Sequence, residues 1–221
     1  MSLWRSALGV LFGLGLASQA SAADSLPLTP QFQQFATRPD NRQGVVQVLQ
    51  TQWNQTIGVA CTTIKPASWQ VAMIQSVEID AAGKPLKGAW KEIVTSEGCG
   101  FHKVFNIMSV INTDGTVKHI GLLPGTSHAD PFLERDALVQ AQTAAFATLP
   151  KDCKQVMIVD TAFVAQEGAP APKTLPGRDP QPWREEWTLK GCDVSAIVTL
   201  HFTPDATGTG IHAALNETRR G

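Results

Sequence analysis

The residues of this chain whose types could support catalysis are two histidines, three glutamates and one short run of Ser, His and Asp. His119 and His212 stand 93 positions apart, each beside a short β-rich run. A metal would need more than these two, because structural zinc takes four protein ligands and catalytic zinc usually three. No His-x-His, His-Glu-x-x-His or close Cys pair completes a set, so no metal and no cofactor is expected. "GTSHADP" (125–131) places Ser127, His128 and Asp130 together. Triads converge across a fold rather than along one loop, and no Gly-x-Ser-x-Gly elbow is present. Asp130 is better explained as the cap of a helix opened by Pro131. Glu92 and Glu185, with Glu186 adjacent, could pair as acid and base across a cleft. On strands, Glu92 and Glu185, like Lys91 and Arg184, are expected instead to be solvated or engaged in cross-strand pairs.

These residues belong to a longer repetition. "WKEIVTSEGC" (90–99) and "WREEWTLKGC" (183–192) share Trp, Glu, Thr and Gly-Cys in register. Shifting 90–119 by 93 gives eight identities in 30 positions, Gly115/Gly208 and His119/His212 among them. Roughly two would be expected from average residue usage. The same shift pairs Val45 with Leu138 and Trp53 with Phe146. A tandem duplication explains the match, and Trp90 and Trp183, present in both copies, read as packing residues. Trp187 stands where the first copy has Val94, which makes Trp187 beside Arg184 the candidate recognition pair. His119 and His212 are the further candidates.

The elements that would position these residues follow the same plan. Residues 23–39 carry Pro27, Pro30 and Pro39 without a period and read as an extended lead-in. Asp40 and Asn41 are good N-cap residues before a helix over 42–57, whose stripe holds Val45, Val48, Leu49, Gln52 and Trp53. Four strands follow, the last two joined at Asp114-Gly115. A second helix runs from Pro131 to a stop at Pro150, with Glu134 favourably placed near its positive end. Four more strands close the chain. The expected class is α+β: a tandem αββββ duplication, 40–126 and 127–221, as antiparallel sheet or sheets with two helices on one face.

Arg5, the apolar run 7–17 and "ASA" at 20–22 form a signal peptide over residues 1–22. The run is too short to span a bilayer, and no later segment is a transmembrane candidate. Four Cys in an exported chain imply two disulfides. Cys61 and Cys99 lie 38 apart and Cys153 and Cys192 lie 39 apart, so one staple within each repeat is expected. The rival set, Cys61–Cys153 with Cys99–Cys192, would join equivalent positions across the pseudo-symmetry. A formal net charge of −1 argues against a nucleic-acid partner. The proline-rich stretch 167–182 reads as an exposed loop.

In plan, a tandem helix-plus-four-strands duplication with one disulfide per repeat resembles the secreted β-lactamase inhibitor proteins. That resemblance implies a sheet presented to a protein partner. The expected function is a non-catalytic binding protein of the bacterial envelope, periplasmic or secreted, taking an unknown protein or a small apolar ligand. The alternatives are a hydrolase with a site between the repeats, built on His119, His212 and the glutamates, and a carrier of a small apolar ligand or lipid.

Overall fold

Thr29 opens a helix inside the stretch that reads as extended. In the computed structural model, which describes residues 28–58, 61–175 and 179–221, its hydroxyl accepts from the Phe32 N–H at 3.2 Å and Pro30 takes the first turn. Helix α1 (Pro30–Ala36) buries Phe32, Phe35 and Ala36, an i, i+3, i+4 stripe too short to stand out as a period. Both Phe rings meet Trp90 edge-on, with centroids 5.2 and 5.9 Å away. Helix α2 (Pro39–Ile57) begins three residues earlier than the sequence suggests. Arg38 is its N-cap, Asp40 pairs with Arg38 at 2.8 Å, and Asn41 donates to the Ala36 carbonyl at 3.1 Å. Neither Asp40 nor Asn41 caps the helix. The expected signal peptide, 1–22, lies outside the described residues.

Strands β1 (Lys65–Ile79), β2 (Pro85–Gly98), β3 (Phe101–Ile111) and β4 (Val117–Gly121) form one antiparallel sheet in sequence order. The chain then makes β5 (Gly125–Thr126), helix α3 (Pro131–Phe146), β6 (Met157–Gln166), β7 (Trp183–Gly191), β8 (Val194–Pro204) and β9 (Thr209–Arg220). These strands form a second sheet, ordered β5 to β9, in which only the two-residue β5 pairs in parallel. The class is α+β with antiparallel-rich sheets.

Both disulfides close within their own sheet, Cys61–Cys99 and Cys153–Cys192. Cys99-Gly100 and Cys192-Asp193 are two-residue hairpin loops, and all four residues have positive φ. That is the primed turn whose twist matches the flanking strands. The glycine before each Cys is required sterically. A Cβ on Gly191 would lie 2.5 Å from the Gln155 carbonyl and 3.1 Å from Cys153 Sγ, and one on Gly98 would lie 3.0 Å from Cys61 Sγ. Gly-Cys is the signature of the staple.

The two long helices space their buried residues alike. The buried residues of α2, Val45, Leu49 and Trp53, match Ala137, Ala141 and Ala145 at a shift of 92, as Cys61 matches Cys153. At the shift of 93 that suits the strands, Trp53 would match Phe146, which is 41% exposed. Volume is exchanged between layers. Under α2, Trp53 and Phe105 share a cluster with Val94; under α3, the alanines share one with Trp187 and Val198. Trp53 and Trp187 are the wholly buried tryptophans of these two clusters, one on a helix and the other on a strand.

Candidate functional site

The alternation of β2 and β7 puts Trp and Glu two residues apart on one face, and that face is buried. Glu92 and Glu185 are both 0% exposed, so they are not the solvated surface charges the sequence suggests. Each carboxylate is held by indole N–H groups. Trp69 and Trp90 donate to Glu92 at 2.6 and 2.8 Å, and the Ser109 hydroxyl adds a third bond at 3.2 Å. Trp183 and Trp187 donate to Glu185 at 2.8 and 2.7 Å, joined by the backbone N–H groups of His128 and Ala129 at 2.8 and 3.3 Å. Such bonds are what make a buried carboxylate tolerable. For Glu92, burial pushes the carboxyl above its usual range, while the donors pull it back down.

These cages absorb most of the sequence candidates. Trp187 is fully buried as the second indole donor of Glu185, the role that β1 supplies as Trp69 in the first sheet, so it offers no surface to a partner. Arg184 approaches Glu167 with Nε 3.6 Å from its carboxylate. His119 shares a bond of 2.8 Å with Ser109 through Nδ1. Since Ser109 donates its one proton to Glu92, that Nδ1 carries the hydrogen. Burial lowers the pKa of His119 and keeps the ring neutral. Ser109 is itself wholly buried, so Ser109, His119 and Glu92 form a structural chain without an accessible nucleophile. His212 is exposed on β9 opposite His201. Phe202, at a shift of 93 from Ser109, pairs with Ile211 and stacks on Trp183 at 4.7 Å, so the second histidine has no hydroxyl opposite it. The two histidines occupy different surroundings on different sheets.

The "GTSHADP" loop serves Glu185 and α3. Asp130 accepts from the N–H groups of Phe132 and Leu133 at 2.9 and 3.0 Å, as a cap should. His128 reaches Asp179 of the proline-rich loop at 2.9 Å. That loop is tied at its base by Glu167 and Pro182 (2.7 Å) and again by Ala171 and Pro180 (2.7 Å).

A different set of residues gathers where the two sheets meet. Asn106 of β3 donates to the carbonyls of Leu123 and Gly125 at 2.8 and 3.0 Å, and Gln52 of α2 donates to that of Leu122. Above this linker α2 and α3 leave a groove of 520 Å³. Val48, Thr51 and Gln52 form one wall, Glu134 and Leu138 the other, and the linker with Ile158 the floor. Glu134 is 3% exposed. Burial first, and the charge of Glu185 second, raise its pKa to about 7, against the opposing pull of Lys91. Lys91, on the rear face of β2, has its own pKa lowered by burial and held up by Glu134 and Glu185. Oε1 of Glu134 and Oε1 of Gln52 are both buried without a hydrogen-bond partner.

The sequence reasoning missed Glu134 and Lys91. The signal for Glu134 was its place three residues before Ala137 and seven before Ala141, which puts it on the inward stripe of α3. Nothing local marked Lys91, because the charges that act on it, Glu134 and Glu185, lie far along the chain.

No family model, no curated protein and no solved structure matches this chain.

Proposed function

We propose that this chain is an exported, non-catalytic binding protein, built on a duplicated αββββ unit, whose ligand seat is the groove between α2 and α3. The observation that carries the reading is the groove. Its 520 Å³ falls within the roughly 300–1,000 Å³ common to small-ligand sites, and its lining is chiefly apolar with a few polar groups. Each αββββ unit contributes one wall, so the seat requires both. The residues that could have served a hydrolase are committed elsewhere: the glutamates of the repeats to their indole donors and His119 to Ser109.

The remaining parts are consistent with that role. Two disulfides are compatible with an exported protein, and no helix among the described residues is long and apolar enough to cross a membrane. The export signal favours the periplasm or the outside of the cell. Duplication is supported by the paired Trp-x-Glu cages and the paired Gly-Cys staples. A protein partner has one feature in its favour: β1 is a 15-residue edge strand, largely exposed, of the kind that accepts an added strand.

Native mass spectrometry of the mature chain recovered from the envelope tests the groove. A bound apolar molecule of small mass is expected, and Leu138→Trp, which fills the groove, is expected to abolish it. An empty wild-type protein, or a ligand retained by Leu138→Trp, would remove the reading.

A further inference from the structure

Helix α3 carries large apolar side chains on its outer face. It packs on β7, β8 and β9 and on no other element among the described residues, and its buried face is chiefly Ala137, Ala141, Ala144 and Ala145. On the opposite face Phe132 and Val139 are 64% and 65% exposed, and Phe146 is 41% exposed. Their spacing of seven sets them along one line about 21 Å long. The fold does not require apolar residues there. At the shift of 92 that matches the buried residues of the two long helices, their counterparts on α2 are Asp40, Gln47 and Asn54, all polar and all exposed. Exposed apolar residues scattered singly need no explanation, but three in line on one helix do. We propose that this stripe is the seam of a two-fold dimer, in which α3 of one copy lies antiparallel on α3 of a second with Val139 at the axis.

Symmetry and charge point to a second copy of this chain as the occupant. A two-fold interface must be self-complementary, and the stripe is symmetric, with one Phe seven residues before Val139 and another seven after it. An axis at Val139 sets Phe132 against Phe146 of the second copy. It also sets Arg135 against Thr143 and Asp136 against Gln142, so no like charges meet, and the antiparallel helix dipoles oppose each other favourably. Phe146 widens the patch, since it lines one hollow with Met157 of β6, which is equally exposed. A membrane surface could also cover apolar residues, but helices that lie on membranes carry Lys and Arg along the polar face. The one cation of α3 is Arg135, already paired with Asp136 at 3.1 Å. A seam of one short helix buries less than the roughly 800 Å² per partner of a standard interface. The dimer is therefore weak, with an expected dissociation constant of about 10–100 µM, and it forms whether or not the neighbouring groove holds a ligand.

Sedimentation equilibrium of the mature chain, joined to cysteine cross-linking, tests the seam and its register. Val139→Glu sets two carboxylates face to face at the axis and is expected to weaken association at least about tenfold. An equal mixture of Val139→Glu and Val139→Lys should restore it. Both changes lie on an exposed position, so the circular dichroism should stay that of the wild type. The four native cysteines are paired with one another, which leaves an introduced thiol to report alone. Val139→Cys should give a disulfide-linked dimer under mild oxidation. Phe132→Cys should not, because its two copies stand about 21 Å apart along the seam, far beyond the reach of a disulfide. Combining Phe132→Cys with Phe146→Cys should restore the cross-link. A chain still monomeric at about ten times the expected dissociation constant, a Val139→Glu variant that associates like wild type, or cross-linking as strong through Phe132→Cys as through Val139→Cys would overturn the dimer. So would a monomer that sediments with phosphatidylglycerol vesicles and loses them on Val139→Glu, because the stripe would then be a membrane contact.

Discussion

At the scale of the residue, a buried carboxylate is only as stable as its donors. Glu185 accepts four hydrogen bonds in the core. Glu185→Ala would orphan two indole and two backbone donors at once and is expected to cost about 3–5 kcal/mol. Glu185→Gln keeps an acceptor and should cost clearly less, as urea midpoints will show; equal losses would mean the bonds contribute nothing beyond shape. Trp187→Ala is expected to cost about 3–5 kcal/mol for the same reason joined to a cavity, so any partner lost with it would report unfolding rather than recognition. Glu134 carries a different expectation. Its pKa is raised from 4.5 to about 7, so its stabilising contribution is full below 4.5 and fades as pH rises through 7. Ionisation should then cost the fold about 3 kcal/mol. Relative to wild type, Glu134→Gln should gain that much between pH 4.5 and pH 8 in urea unfolding. A difference that stays flat across this range would remove the buried carboxyl from the account. Glu92, also raised, acts in the same direction but is common to both proteins and cancels.

At the scale of the element, the two sheets solve one packing problem with the large side chain on opposite layers. Trp53 of α2 shares the first core with Val94 of β2, and Ala145 of α3 shares the second with Trp187 of β7. Trp53→Ala is expected to cost about 3–5 kcal/mol. Adding Val94→Trp should recover part of it, seen as a non-additive double-mutant cycle. Strict additivity would show that the two positions do not share the space. This exchange also marks how far the sequence could be read. Strand runs, the Asp130 cap, the Gly-Cys staples and their partners were legible because turn chemistry and period are local. Helix α1 was not, since seven residues with three prolines nearby are defined by docking on Trp90 more than by pattern. The alternation on β2 did place Trp90 and Glu92 side by side. What it could not show is that the shared face is dry, which depends on α1 and α2 closing over it. The groove was least legible, because its walls lie on two helices more than 70 residues apart and its floor is a connection without period.

At the scale of the whole molecule, the question is whether two disulfide-stapled halves behave as one body. The contacts between them join named residues on both sides. Asn106 bridges two carbonyls of the linker, Lys103 of β3 meets Asp160 of β6 at 3.0 Å, and the charges of Glu134 and Glu185 act on Lys91. Local stability of each half comes from its own helix and its own staple, and each staple's loop closure should contribute roughly 4 kcal/mol in the chain-entropy model. Asn106 therefore isolates the junction: Asn106→Leu leaves both disulfides and both carboxylate cages in place while two buried carbonyls lose their donor. It is expected to cost about 2–4 kcal/mol. If the junction couples the halves, the mature chain unfolds in one urea transition by tryptophan fluorescence, and Asn106→Leu lowers the midpoint or splits the curve in two. A wild-type curve with two transitions, neither moved by Asn106→Leu, would make the halves independent. The groove, whose walls come one from each half, would then lack fixed walls.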